Sequence, residues 1–329
     1  MNVLINELIN ELSLPLYQQW ISILYGGLVP TGEGGTVTVR LLHRAQLADL
    51  HNAELESWRI EVGNTGNPAW ASWTLCLLRP HGLTALPVLA SGDACWNYIT
   101  TDVMRQFVQA GVALAWFNRV ELASDSPACV REGPVFARFP GAGFGALSVW
   151  AWAYSRVVDA LMQVPGIDPV RIGIVGHSRG GKAALLAGAT DTRIALTVAN
   201  NSGVGGSASS WVLGTGSETL AGLAKQFPHW LAKDIQTTLA SGGLAGLDQD
   251  LLLCAIAPRK LLITQALGDL WANPLGTHHV AKKVAAHYAH HAHHTHYAAM
   301  AASEAFTLVC REGGHPMVME DWIAALSQF

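Results

Sequence analysis

The chain has 329 residues, half of them hydrophobic and 13% charged, with a formal net charge of −4. A core of substantial size is expected, in one large domain or two smaller ones. The slight negative charge, without any basic run, argues against a nucleic-acid partner, and no apolar segment approaches the ~18–20 residues of a membrane span.

In chain order, residues 1–25 place Val3, Leu4, Leu8, Ile9 and Leu12 at helical spacing. This predicts an amphipathic helix packed on the main body. The first residues hold neither a positively charged region nor a cleavage site, which points to a cytoplasmic protein; a trimmed leader would make it secreted or periplasmic. A turn-rich linker over 26–35 follows. Strands are expected over 36–42, 56–62 and 72–78, with Asn64-Thr65-Gly66-Asn67-Pro68 as a turn. The short apolar run 86–90 reads as a buried strand, and Ser91-Gly92-Asp93-Ala94 as the loop after it.

A helix over 100–109 leads to a buried strand over 111–117. The segment 121–144, rich in Pro, Gly and Arg and without periodicity, reads as a functional lid or a disordered connection. A long apolar helix is expected over 146–162, then a strand over 172–175, a helix to 189 and a strand over 194–199. Residues 202–216 are small and glycine-rich. One or two helices fit 218–239, and another ends at 251–254. A strand over 260–264, a helix from 280, a strand over 306–309 and a helix over 321–329 complete the chain. Buried strands alternating with helices predict an α/β fold with a doubly wound, mostly parallel sheet flanked by helices. Residues 36–329 read as one catalytic domain, with 1–35 as a helix and linker packed against it. The five cysteines are scattered in apolar contexts and read as reduced core residues.

One stretch carries chemistry. Residues 172–175 are β-branched and apolar, 183–189 are small and aliphatic, and between them lies Gly176-His177-Ser178-Arg179-Gly180. G-x-S-x-G between strand and helix is a nucleophile elbow, in which the serine occupies a strained turn and projects from the sheet top. Gly176 to Lys182 also reads as a phosphate loop, but that motif needs Ser or Thr next, and Ala183 stands there.

A serine hydroxyl needs a base to take its proton. In α/β-hydrolases the partners follow in the order Ser, acid, His, on loops after later strands. Asp269 follows the strand over 260–264, and His315 follows Gly313-Gly314 after the strand over 306–309. Ser178 is therefore read as nucleophile, His315 as general base and then acid, and Asp269 as the group that orients the imidazole. The Arg179 amide would supply one oxyanion donor and the loop near 91–94 a second. The Arg179 side chain would add positive charge there; the plainer alternative is a surface ion pair.

Gly176-His177-Ser178-Arg179-Gly180-Gly181-Lys182 resembles the G-x-S-R-x-G-K elbow of the glucuronoyl esterases, carbohydrate esterase family fifteen. The similarity continues through Asn201-Ser202-Gly203-Val204-Gly205-Gly206, Phe227-Pro228-His229-Trp230, Ala257-Pro258-Arg259, Asp269-Leu270-Trp271 and Gly313-Gly314-His315. It implies an α/β-hydrolase that cleaves esters of 4-O-methyl-glucuronate or a related carbohydrate ester. It also implies that Arg179 steadies the oxyanion, that Lys182 hydrogen-bonds sugar hydroxyls and that Trp271 packs on the sugar face. Trp230 and Glu218 are further candidate substrate contacts. Asn201 departs from the pattern, because the family commonly carries a catalytic Glu there. Two alternatives remain open: a deacetylase of acetylated sugars, and a carbohydrate-binding relative without turnover.

The histidines at 287, 290, 291, 293, 294 and 296 form a dense cluster. Imidazoles at such spacing can bind a transition metal, but no carboxylate or cysteine joins them closely, and a solvated helix or loop is the expectation. No metal and no cofactor is assigned. The expected partner is a small-molecule or oligosaccharide ester, with no nucleic acid and no membrane.

Overall fold

In the computed structural model, which describes residues 15–30, 35–64, 66–242, 244, 246–294 and 305–329, the chain builds a nine-stranded sheet. Its first strands, β1 (Thr36–Leu47), β2 (Ala53–Gly63) and β3 (Ala71–Arg79), are antiparallel neighbours. The rest are β4 (Leu86–Ser91), β5 (Ala113–Phe117), β6 (Ile167–His177), β7 (Leu196–Asn200), β8 (Lys260–Ala266) and β9 (Phe306–Arg311). The order across the sheet is β1-β2-β3-β5-β4-β6-β7-β8-β9. β5 meets β3 antiparallel, and every pair from β5 across to β9 is parallel.

The parallel strands read as unbroken apolar runs because both of their faces are covered. Leu89, Val175, Val198 and Leu262 pack with Val103 and Phe107 of the helix Thr101–Ala110 and with Trp322 of the helix Met319–Leu326. Val88, Ala90, Ile174 and Ile263 face the other way. They join the core built with the helices Ala146–Leu161, Arg179–Thr190 and Pro274–His294. Successive side chains of a strand point to opposite faces, so each strand serves both layers.

Residues 1–14 of the expected N-terminal helix lie outside the described residues. The helix Leu16–Tyr25 buries Trp20, Leu24 and Tyr25. Trp20 Nε1 donates to Gln249 Oε1 (2.9 Å) and Tyr25 Oη to the carbonyl of Gly205 (3.0 Å), which fastens this helix to two distant loops.

β1 runs to Leu47, well past the expected end at 42. Polar residues continue its pairing with β2, where Arg44 meets the buried Glu56 at 2.7 Å.

The segment 121–144 is a tied strap, with a short helix at Pro134–Arg138. Arg131 Nη2 donates to the carbonyls of Gly143 (3.2 Å) and Leu231 (3.3 Å), and Trp150 Nε1 to that of Ala123 (3.1 Å). These side-chain bonds replace the ladder that the sequence could not form, so the segment expected as a lid or a disordered connection is ordered and tied to its surroundings.

The helix Pro274–His294 carries the histidine-rich stretch as far as His294, and His296 lies outside the described residues. No described helix is long and apolar enough to cross a membrane.

The loops that leave β4, β6, β7, β8 and β9 at their carboxyl ends share one edge of the sheet, which is where open α/β sheets place their chemistry.

Candidate active site

β6 ends at His177 and the next helix begins at Arg179. Ser178 between them has φ 55° and ψ −119°. A non-glycine residue held at such a conformation costs about 1–3 kcal/mol, and it persists only where its surroundings impose it. Here they do. The Ser178 amide donates to the carbonyl of Asn200 (2.8 Å), and its carbonyl accepts from the Lys182 amide (3.1 Å). A Cβ on Gly176 would land on the carbonyl of Gly180, and one on Gly180 would land on the carboxylate of Asp93. The two glycines of the motif thus admit the turn and an acid beneath it.

Asp93 lies just beyond β4. Its Oδ2 accepts the His177 amide at 2.7 Å, and its Oδ1 is ion-paired with Arg119. Arg119 is fully buried; it donates to the carbonyl of Gly92 (3.3 Å) and lies over the Trp150 ring at 4.8 Å. Burial alone would lower the Arg119 pKa, but Asp93, together with Cys95, Tyr154 and Asp125, outweighs it and raises it. Asp125, in the 121–144 strap, stands 3.7 Å from Arg119 and accepts from Arg179 (3.1 Å) and from Trp230 Nε1 (2.8 Å). Burial opposes its ionisation. The hydrogen bonds with His229 and Trp230 and the charges of Arg179 and Arg119 together prevail and hold its carboxyl below the usual range.

The Arg179 guanidinium is neither a free cation nor a simple surface pair. It sits 5.4 Å from the Trp96 ring, 5.6 Å from Phe227 and 4.7 Å from Trp230. Its backbone amide is the first of a helix and has no acceptor within that helix, so it is available to an incoming oxygen. The expected second donor is not found in the loop after β4. Gly92 N donates to Tyr154 Oη (2.8 Å), Asp93 N to Ser91 Oγ (3.2 Å) and Ala94 N to Phe117 O (3.2 Å), so these amides are already engaged.

On the opposite side, His315 Nδ1 donates to Asp269 Oδ2 at 2.6 Å. Asp269 is buried, while the His315 side chain is 42% exposed and open to the rim. The His315 ring lies 4.6 Å from the ring of His177, the residue before Ser178. The structure therefore brings Ser178, His315 and Asp269 to one edge from loops that follow β6, β9 and β8.

A family profile described as fungal glucuronyl esterase matches residues 84–292, more than half of the chain. The chain belongs to the glucuronyl esterase family. A 4-O-methyl-glucuronoyl methylesterase of Podospora anserina is 34% identical over 181 residues, covering 52% of this chain and 38% of the relative. The chain thus spans well under half the length of such curated relatives. Among solved structures, a glucuronoyl esterase from Solibacter usitatus superposes with a TM-score of 0.75 at 21% identity, covering 95% of this chain and 89% of that one. The glucuronoyl esterase catalytic domain of Hypocrea jecorina gives 0.70 at 23% identity, covering 95% of this chain and 79% of that one. These likenesses show a shared fold, the α/β-hydrolase arrangement.

Within this family fold, four residues expected at the substrate divide into two groups. Trp271 is half exposed beside Asp269. Lys182 is buried, and its ammonium donates to Ser202 O (2.7 Å), Val204 O and Glu218 Oε1 (3.1 Å). All three of its protons are used inside the protein, so the expected contact with sugar hydroxyls is replaced by a brace for the turn 202–206. Burial lowers the Lys182 pKa, against the pull of Glu218. Glu218 also accepts the Val204 amide at 2.9 Å and is interior. Trp230 is buried too, with its ring stacked on Phe227 at 3.8 Å and 3°. Its part is to support Arg179 from below.

Sequence reasoning passed over Asp93 as a support and missed Asp125. Asp125 lies in a segment without periodicity, and three of its four partners, Arg179, His229 and Trp230, are far away in the chain. The strand-to-loop position of Asp93 was a signal, since it follows a buried strand as Asp269 does.

Proposed function

We propose that this chain hydrolyses carboxylic esters through an acyl-enzyme on Ser178, with a 4-O-methyl-glucuronoyl or related carbohydrate ester as substrate. The observation that carries this reading is the 2.6 Å bond from His315 Nδ1 to Asp269, made by an imidazole packed 4.6 Å from the His177 ring. With Nδ1 committed to Asp269, Nε2 is left unprotonated to serve as base.

Ser178 Oγ attacks the ester carbonyl carbon while its proton passes to His315 Nε2. The carbonyl electron pair moves onto oxygen, which the Arg179 amide can meet. When the tetrahedral species collapses, the bond to the alcohol oxygen breaks, and that oxygen leaves with the proton from His315. Water then attacks the acyl group by the same route, its proton going first to His315 and then to Ser178 Oγ. The product is the free acid. Asp269 holds the imidazole in one tautomer and stabilises its charged form throughout.

The uronate part of the reading is supported by family membership and by the half-exposed Trp271 beside Asp269. An indole face suits the apolar face of a sugar ring. Methyl glucuronate, benzyl glucuronate, acetylated xylose and p-nitrophenyl acetate form the test panel. The expected outcome is turnover of the glucuronate esters, lost about 10⁶-fold in kcat in Ser178→Ala. Turnover of acetylated xylose alone would make the enzyme a deacetylase. Undiminished turnover in Ser178→Ala would reject the serine mechanism.

A further inference from the structure

We propose that Asn201 is a positioning residue of the catalytic centre, a single side-chain amide that fixes the backbone of His315 against the strand end that carries Asp269. This deepens the serine-hydrolase reading and rests on it.

Asn201 follows β7 directly, is buried and has φ 44°, a left-handed conformation that Asn tolerates better than most residues. Its own amide donates to Thr264 O (3.0 Å), which locks its backbone to β8. Its side chain then points both ways. Oδ1 accepts from the Ala266 amide (2.7 Å), and Nδ2 donates to the carbonyl of His315 (2.8 Å). The carbonyl of Ala266 in turn accepts from the Asp269 amide (3.2 Å). The bonds close a ring: Asn201 to Ala266, Ala266 to Asp269, Asp269 to the His315 imidazole, and the His315 carbonyl back to Asn201.

Other contacts hold the neighbourhood without closing that ring. Leu267 and Gly268 donate to Arg311 O (2.8 Å) and Gly313 O (3.0 Å), which ends the strand pairing two residues before His315. Arg311 donates to the carbonyls of Gly314 (3.4 Å) and Pro316 (2.7 Å), on either side of the base. Among the described residues, Asn201 alone takes the His315 carbonyl. The task needs one donor and one acceptor on one planar group, which an amide has and a carboxylate lacks. An ionised carboxylate here would set oxygen against oxygen at His315. An amide at 201 therefore fits a site whose acid stands in the loop after the next strand.

Two variants test this. Asn201→Gly removes the side chain and keeps the left-handed backbone free of strain. Asn201→Asp keeps the acceptor for Ala266 and loses the donor to His315. Both are expected to lower kcat about 10- to 100-fold, as small displacements of reacting groups do, with KM unchanged. Both should also broaden the low-field proton resonance of the His315 Nδ1–H in NMR spectra. A purely structural role would lower the melting temperature and leave that resonance and the kcat of folded protein as in wild type; that result overturns the proposal. If Asn201→Gly does not fold, Asn201→Asp decides by the same readouts, and wild-type behaviour in it is equally fatal. The resonance reads the Asp269–His315 bond even in protein that turns over no ester. Failure of the esterase reading and failure of this one are thereby told apart.

Discussion

Ser178 and His315, the proposed nucleophile and base, are held in opposite ways. Beneath Ser178 lies buried charge: Asp93, Arg119 and Asp125 link the ends of β4 and β5 and the 121–144 strap, and Asp93 reaches the elbow through the His177 amide. Around His315, on an open rim, there is one carboxylate, one amide and the guanidinium of Arg311, paired with Asp321, which holds the carbonyls on either side. The difference follows from what each residue must do. A strained turn has to be clamped, or its φ of 55° would relax. An imidazole that passes protons in both directions needs freedom at Nε2 and restraint only at Nδ1 and in its backbone. Damage on the elbow side should therefore appear first as instability, and damage on the base side first as lost rate.

The sharpest test of that contrast is Asp269→Asn. The amide can still meet the ring but favours the wrong tautomer, and kcat should fall roughly 10³–10⁴-fold while the protein stays folded. Steady-state kinetics beside a thermal melt check both halves. A melting temperature that collapses together with the rate would erase the distinction between the two sides.

How much of this was legible in the sequence follows the same division. Ser178, Asp269 and His315 could be placed because each stands at or a few residues beyond the end of an apolar strand, and strand ends are local features of a chain. Gly176 and Gly180 announced a tight turn, although not that Gly180 makes room for Asp93. The sheet was legible wherever its strands are buried on both faces. β1 was read too short because His43, Arg44 and Gln46 look like loop residues until β2 supplies their partners. Lys182 was placed at the sugar hydroxyls by the family resemblance alone, with Trp230 as a further candidate contact, although a helix lysine by itself reads as solvated or ion-paired. Only the fold reveals that Glu218 and the turn 202–206 consume the first, and that Phe227, Arg179 and Asp125 enclose the second. Burial depends on partners remote in sequence, and nothing in a single chain marks them.

On the elbow side, Arg119→Met should be the most damaging change. It removes a fully buried guanidinium and leaves Asp93 without its counter-charge. Breaking one partner of a buried pair costs about 3–5 kcal/mol. The expected outcome is a large drop in the urea midpoint, with loss of activity following loss of fold. The double variant Arg119→Met with Asp93→Asn should recover part of that stability, because no bare charge then remains. If the single variant melts like wild type, the charge network is not what clamps the elbow.

The smallest effect is also the most specific, because it lies where the two sides touch. His177 is pressed between Tyr98 (4.8 Å) and His315 (4.6 Å). Asn200 Nδ2 donates to Thr264 Oγ1 (2.8 Å), which leaves Asn200 Oδ1 to accept from His177 Nδ1 at 2.5 Å. Burial pushes the His177 pKa down to about 4, the bond to Asn200 opposes this, and the charge of His315 adds to it. An unfolded histidine titrates near 6.5. Between those values the unfolded chain takes up a proton that the folded protein refuses, so stability rises with pH across the window. It is complete above about 6.5, falls as the medium is acidified toward 4, and has by then lost roughly 3 kcal/mol from this group. His177→Gln keeps a donor for Asn200 and cannot titrate. Unfolding free energies measured from pH 7 to pH 4 should therefore decline less steeply in the variant, whatever constant offset the lost ring contacts introduce. Parallel curves for the two proteins would mean that His177 accepts its proton in the folded state without penalty, and that the elbow is less tightly sealed from the rim than its contacts imply.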